Sequence, residues 1–332
     1  MNVRDAGLAT ANALPMDKPP ILKISVSFVG LCEVVAFLSL TGTWLGSLGR
    51  YHWMLDLMAH FRLQYIVACL LVLLFALVRR RSSLAVVSLI SLLWNAQIVS
   101  GFHQTAPSLA PTTVKPLRVL TFNVRSSNDR PQEVVEHVLA ANADIVCLLE
   151  VDHGWNEFLV PLRSKYLVHV EDLTAGNFGI ACYTSLPVRS HEIRRFTQWG
   201  LPSVLFDLDR SGNSLTFLAT HTLPPGNSED AGALLDHLAD IAVLAPGIDG
   251  EMIVAGDFNA TPWCEGMRLL REKSGLDFHS VDPVWPPTWG LNLPMMIPID
   301  HVLVKGGLTV QKRVIGPDLG SDHRPVLVEI VR

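Results

Sequence analysis

Three apolar runs in the first third of the chain, interrupted by a triplet of arginines, limit its architecture more than any other feature. From Ile24 to Gly49 the only charge is Glu33; Leu63 to Val78 carries none, nor does Ser82 to Pro107. A bilayer core takes about 20 apolar residues per helix. The spacing predicts spans at about 24–46, 61–78 and 82–101. The second is short, and Arg62 and Gln64 would extend it by reaching to the interface. A cleavable signal peptide fits the first run poorly, because its core is longer than about 7–15 residues and lacks a small-x-small cleavage site. Arg79-Arg80-Arg81 is the whole connection between spans two and three, which puts it in the cytoplasm. The N-terminal tail, with Arg4, Lys18 and Lys23, belongs on the same side. Three spans then leave the remainder outside the cytoplasmic membrane. Glu33 reads as a carboxyl facing another helix or a water defect. Tyr51–Phe61 mixes apolar with ionisable residues and reads as a surface-lying segment or a simple loop.

Charge divides the 332 residues in the same place. Residues 1–111 hold eight Lys/Arg and four Asp/Glu, a net of +4, whereas 112–332 hold 18 and 27, a net of -9. The C-terminal part has no basic run to follow a nucleic-acid backbone. Only 17% of the chain is charged, below the roughly 25% of soluble domains, which argues against disorder or a coiled coil. The five cysteines include no Cys-x-x-Cys pair, so they read as small buried hydrophobes. The expected organisation is a cytoplasmic tail at 1–23, a three-helix membrane anchor at 24–104, a linker at 105–116 and a domain at 117–332. The linker TAPSLAPTTVKP has three prolines and reaches at most about 35–40 Å.

In the domain, strand candidates alternate with helices. They lie at 117–124, 143–150, 178–185, 188–194, 203–208, 214–221, 252–256, 299–304, 308–315 and 325–331. The runs 178–185 and 188–194 read as neighbours joined through Leu186-Pro187. Asn227 reads as the cap of a helix to about Leu244. This mixture implies a layered α/β domain.

Several strands end on polar residues instead of turn residues: Asn123, Glu150, His221, Asp257 with Asn259 in GDFN, Asp300, and the pair Asp322-His323. Alternation sends Asp257 and Asn259 to one side and Phe258 to the other. A core cannot hold so many unpaired polar groups, so they converge on solvent, on one another or on a metal. Carboxylates and an amide oxygen suit a hard divalent ion. An Asp–His pair supplies an imidazole that can be held cationic against phosphate.

The order Asn123, Glu150, His221, GDFN at 256–259, Asp300 and GSDH at 320–323 resembles the endonuclease/exonuclease/phosphatase superfamily, over residues 117–332. With the three spans it looks most like a bacterial membrane-anchored branch. The resemblance implies an α/β fold, a four-layer sandwich of two β-sheets with outer helices, preceded here by three transmembrane helices. It implies Glu150 as a Mg²⁺ (or Mn²⁺) ligand with Asn123 and Asp322 at or beside the metal. It further implies Asp257 orienting the attacking water, Asn259 holding water and phosphate, and His323 contacting the scissile phosphate under the direction of Asp300. His221 stands where nuclease-like and phosphatase-like members carry His. Thr288 and Trp289 read as pocket or loop residues, Arg324 as a surface residue, and His301 faces away from Asp300.

These readings add up to a metal-dependent phosphoesterase at the outer face of the inner membrane. Its expected partners are a phosphoester, with lipid-linked esters among the candidates, and membrane lipids through the three helices. Nucleic acid is a less favoured substrate, no obligate protein partner is evident, and a non-catalytic membrane-bound module of the same fold is the competing class.

Overall fold

The computed structural model describes residues 27–101, 115–174, 176–278, 286–290 and 294–332. The expected tail and all but the last two linker residues lie outside them.

The N-terminal region is helical. α1 (Phe28–Gly46), α3 (Arg62–Val78) and α4 (Ser82–Ser100) follow the apolar runs, and a short α2 (Trp53–Ala59) lies between the first two. α1 and α4, at 19 residues each, are long and apolar enough to cross a membrane; α3 qualifies only together with α2, from which it bends by 64°. Glu33 is not buried in the bundle: its carboxylate accepts from Arg81 at 2.8 Å, so it sits at the arginine end. Arg62 does not reach outward either. It is 3% exposed and donates to Asn95 Oδ1 at 2.9 Å.

The α/β region has two mixed sheets. One runs β10-β11-β1-β2-β4-β3 and the other β5-β6-β7-β8-β9. The first comprises β1 (Leu117–Asn123), β2 (Ile145–Leu149), β3 (Val168–Asp172), β4 (Ile180–Thr184), β10 (Thr309–Ile315) and β11 (Val326–Val331). The second comprises β5 (Val188–Phe196), β6 (Leu201–Arg210), β7 (Asn213–His221), β8 (Glu251–Asp257) and β9 (Asp300–Lys305). Helices α5 (Pro131–Ala141), α6 (Val160–Lys165), α7 (Ser228–Leu244) and α8 (Glu265–Ser274) complete the domain.

Three apolar clusters define the layers. Val119, Cys147, Phe206, Phe217, Val304 and Val328 meet between the sheets. Phe122, Val138, Leu148 and Leu162 fill the space between the first sheet and α5 and α6. Leu238, Val254, Met267 and Leu303 do so between the second sheet and α7 and α8. Strands such as β1 and β8 are thus covered on both faces, which explains their unbroken apolar runs. Asn227 caps α7 as its sequence suggests, accepting from Glu229 and Asp230 amides at 2.8 and 3.0 Å.

One expected pairing is wrong. β4 and β5 are not neighbours in one sheet: β4 pairs with β2 and β3, β5 with β6. Leu186-Pro187 is the crossing between sheets, and Pro187 cannot donate to a hairpin ladder. The Tyr51–Phe61 segment is also not a free loop. Ala59 and Val99 join the cluster around α7 and α8, Asp56 Oδ1 accepts from the Glu265 amide at 3.0 Å, and Gln64 Nε2 donates to the carbonyls of Pro294 and Met296. The helical region therefore packs on the α/β region.

Candidate active site

Strand register assembles the site. In the second sheet β7 and β8 run parallel with His221 opposite Asp257, and β9 runs antiparallel with Asp300 opposite Asp257. Three polar residues thus stand abreast on adjacent strands. In the first sheet β1 and β2 run parallel with Asn123 opposite Leu149, so Glu150 follows immediately beside Asn123. The two sheet edges meet through Asn123, whose Nδ2 donates to Glu150 Oε1 at 2.9 Å and to Asp257 Oδ2 at 3.1 Å. His323 arrives from the loop before β11. The Ser321 hydroxyl holds that loop, donating to the Asn123 carbonyl at 2.7 Å and accepting from the His323 amide at 3.1 Å.

The backbone makes two concessions here. Glu150 and Asn259 have φ of 59° and 45°; a non-glycine residue in the left-handed region is uncommon, and such residues cluster at functional sites. Gly256, at φ 153°, lies against β7 so closely that a Cβ would fall 1.8 Å from the Thr220 carbonyl oxygen. The adjoining Asp257 is set by that contact. Phe258 points into the core, fully buried, and Asn259 turns back to donate its backbone N–H to Asp257 Oδ1 at 2.9 Å and its side chain to the Thr222 carbonyl at 2.8 Å.

Asp300 and His323 form a buried pair. His323 Nδ1 donates to Asp300 Oδ2 at 2.9 Å, and its Nε2 lies 3.5 Å from Asp257 Oδ2. Thr288 Oγ1 accepts from the backbone of Ile299 and Asp300. Burial alone would lower the His323 pKa, but Asp300 and Asp257 outweigh it and push it up to about 10. Burial and the charge of Asp257 raise Asp300. Burial also acts to raise Asp257, yet His323 and His221 hold it below the usual carboxylate range. His323 is therefore an imidazolium at neutral pH, oriented through Nδ1 with Nε2 facing the centre of the site.

His221 is 3% exposed. Its Nε2 lies 3.5 Å from Asp257 Oδ2 and 3.4 Å from Asn259 Nδ2, while Phe178 packs on its ring at 5.1 Å. Its Nδ1 is buried without a hydrogen-bond partner among the described residues.

Seven of the eight expected residues are thus linked by short contacts. Asp322 stands apart, its carboxylate accepting from the Trp289 indole at 3.1 Å. Trp289 and Thr288 frame the site, since the Trp289 ring lies 6.4 Å from that of His323. Arg324 pairs with Asp318, and His301 Nε2 meets the Ala260 carbonyl on the far side of β9. Ser321 and Phe178 escaped sequence reasoning. A serine two residues before a histidine is a recognisable turn signal, whereas nothing near Phe178 marks it as a partner for His221.

The donor set suits a cation. Carboxylate oxygens of Asp257 and Asp300 lie within 4.8 Å of each other and of a His323 ring nitrogen; with that ring protonated the oxygens are the donors, and Asn123 and Glu150 adjoin them. Three carboxylates against one imidazolium leave surplus negative charge in a largely buried site, which a hard divalent ion would compensate.

A profile of the Endonuclease/Exonuclease/phosphatase family matches residues 120–323. Among solved structures, the chain is similar to the endonuclease/exonuclease/phosphatase from Bacteroides vulgatus, at 17% identity and TM-score 0.55, over 66% of this chain and 99% of that one. It is similar to D. rerio TDP2 complexed with single strand DNA product, at 16% identity and TM-score 0.53, over 65% and 99% of the two chains. It is also similar to sphingomyelinase C from Streptomyces griseocarneus, at 16% and 0.50, over 65% and 99%. At such identities the likeness concerns the fold. Comparison with curated protein sequences gives no match.

Proposed function

Because this chain belongs to the endonuclease/exonuclease/phosphatase family of phosphoester hydrolases, we propose that it is a membrane-anchored, divalent-metal-dependent phosphoesterase of a bacterial envelope. The reaction is in-line attack of water on a phosphate mono- or diester. The observation that carries this reading is the junction of the two sheet edges, where Asn123 joins Glu150 to Asp257 beside the Asp300–His323 pair.

The roles follow from charge and position. Asp257, held ionised, orients the attacking water and accepts its proton. Asn259 positions water and phosphate from the adjoining turn. His323, cationic and fixed by Asp300, faces the phosphate through Nε2–H and stabilises the charge that develops on it. His221 flanks Asp257 and Asn259 from the opposite strand. Asn123 and Glu150, with Asp322 at the edge, are assigned to Mg²⁺ or Mn²⁺. Such an ion supplies Lewis-acid neutralisation of the phosphate oxygens.

The anchor reading places α1, α3 and α4 across the membrane, with residues 117–332 as the catalytic domain. Arg62 and Gln64, at the end of α3 that packs on the α/β region, are opposite Arg79–Arg81, so a cytoplasmic arginine loop sets the catalytic domain outside. A tethered enzyme with a net of -9 over residues 112–332 favours a lipid-linked or other envelope phosphoester over nucleic acid. The relatives of similar fold include a sphingomyelinase and a protein that holds a DNA product, so the substrate test must cover both. Turnover of phospholipids, duplex and single-stranded DNA, RNA and soluble phosphate esters is measured with Mg²⁺ and with EDTA. Metal-dependent cleavage of a lipid or small phosphoester is expected. Efficient DNA cleavage that collapses between 50 and 200 mM salt overturns the substrate choice, and no cleavage of any ester leaves a non-catalytic module.

A further inference from the structure

Next to Asn259 the protein has a cleft that the catalytic constellation does not use. It holds about 210 Å³ and lies between the segment 49–60 and the α/β region. Asn259 and Ala260 line its inner end, Trp53 and Leu57 of α2 one side, and Leu234 and Leu235 of α7 the other. These walls are mostly apolar. Its polar lining comprises Arg50, Tyr51, His52, Asp56 and Glu265 beside Asn259, the Asp56 carboxylate accepting from the Glu265 amide at 3.0 Å. His60 also lines the cleft; it is 7% exposed, and its Nδ1 has no hydrogen-bond partner among the described residues.

A second groove, about 620 Å³, lies along α1, α2 and α3. Val35, Leu38, Met54, Phe61 and Ala68 line it, together with Met295 from the loop that carries Trp289. Leu57 borders both cavities, so α2 is the partition between them. Gln64 clamps the Met295 loop at the Pro294 and Met296 carbonyls. An apolar groove among the anchor helices is therefore separated by one short helix from a cleft that has an active-site side chain, Asn259, in its lining.

We propose that the cleft between α2 and α7 is the binding site for the apolar portion of an amphiphilic phosphoester, a membrane lipid that enters from the groove on α1–α3. This rests on the phosphoesterase reading above. The phosphate lies at Asn259 and His323, the adjoining part of the lipid fills the cleft, and the tail passes Leu57 to the groove. Burial of tail methylenes supplies the affinity, while Arg50 and His52 suit the polar remainder. A nucleic-acid backbone gains little from such walls, because its contacts need cations in a row. The anchor thus forms one wall of the substrate site in addition to tethering the enzyme.

The full chain is placed in nanodiscs of phosphatidylethanolamine and phosphatidylglycerol that include a phosphatidylglycerol with a diazirine in one acyl chain. Illumination is expected to label peptides containing Leu57 and residues 231–235. Labels confined to the outward faces of the long helices overturn the site. In parallel, turnover of phosphatidylglycerol and of bis(p-nitrophenyl) phosphate is compared in the wild type, Leu57→Trp and Leu235→Trp. Leu235 is 39% exposed, so its replacement spares the core. The ratio of lipid to soluble turnover is expected to fall at least tenfold in both variants. An unchanged ratio refutes the proposal. A wild type that cleaves the soluble diester but no lipid also refutes it while the phosphoesterase reading stands. A wild type inactive on both refutes that reading, and the labelling pattern still decides the cleft.

Discussion

Replacing Asp300 by Asn keeps its shape and removes the charge that holds His323 cationic. In the wild type His323 is pushed from 6.5 up to about 10 against the effect of burial. Asp300 contacts it at 2.9 Å, and Asp257 lies 3.5 Å from the other ring nitrogen. An opposite charge at such range shifts a pKa by about 1–3 units. Asp300→Asn should therefore lower the His323 pKa by about that amount, equivalent to about 1.4–4 kcal/mol of lost interaction. A raised folded pKa stabilises the protein fully below 6.5, and the contribution disappears as pH rises through 10. The variant should thus be less stable than the wild type at pH 6, with the difference shrinking as pH rises toward 10 and absent above it. Part of the loss is offset because burial and Asp257 already raise Asp300. The assay is an NMR titration of ¹³Cε1-labelled histidines in detergent with EDTA present, the resonance being assigned with His323→Gln. A His323 pKa that stays near 10 in Asp300→Asn refutes the argument that this carboxylate controls the imidazole.

Three further outcomes follow from the same geometry. Burial pushes His237 and His301 down to about 3, so each favours the folded state above pH 6.5 and loses that contribution as pH falls toward 3; at pH 5 the loss is about 2 kcal/mol per residue. Urea unfolding at pH 7 and 5 checks this, and His237→Gln should flatten the slope by about 1.4 kcal/mol per pH unit. Gly256→Ala places a methyl 1.8 Å from the Thr220 carbonyl oxygen and should cost more than the about 1–3 kcal/mol of ordinary backbone strain, read as a fall in Tm with loss of activity. A reporter active only in the cytoplasm, fused after Arg332, should be silent, and activity there contradicts the topology.

The site was more legible in the sequence than the surroundings that complete it. Asn123, Glu150, His221, Asp257 and Asp300 announce themselves because each ends or borders a covered strand, where a polar side chain must reach a pocket. Strand register then brings them together, a consequence of order alone. The spacing of Asp322-His323 does not reveal that the Trp289 indole donates to the Asp322 carboxylate at 3.1 Å. β3 escaped notice because VHVED is short and charged, as an edge strand is. The β4–β5 crossing is invisible because strand pattern carries no sheet membership. The docking of α2 was equally hidden. Ala59 packs closely on Gly46 of α1 and joins the cluster around α7 and α8, while the local pattern of WMLDLMAH is that of any amphipathic turn.

The central claim is that Glu150 supports a divalent metal needed for phosphoester hydrolysis. Its most direct test is a Mg²⁺ titration of bis(p-nitrophenyl) phosphate turnover by the full chain in detergent, comparing the wild type with Glu150→Gln. The wild type should be inactive in EDTA and saturate with Mg²⁺, while the variant keeps its Tm and loses turnover by at least about 100-fold, as typical for removal of one stabilising group in a site of this kind. Wild-type turnover in Glu150→Gln at the same Mg²⁺ midpoint would contradict the account.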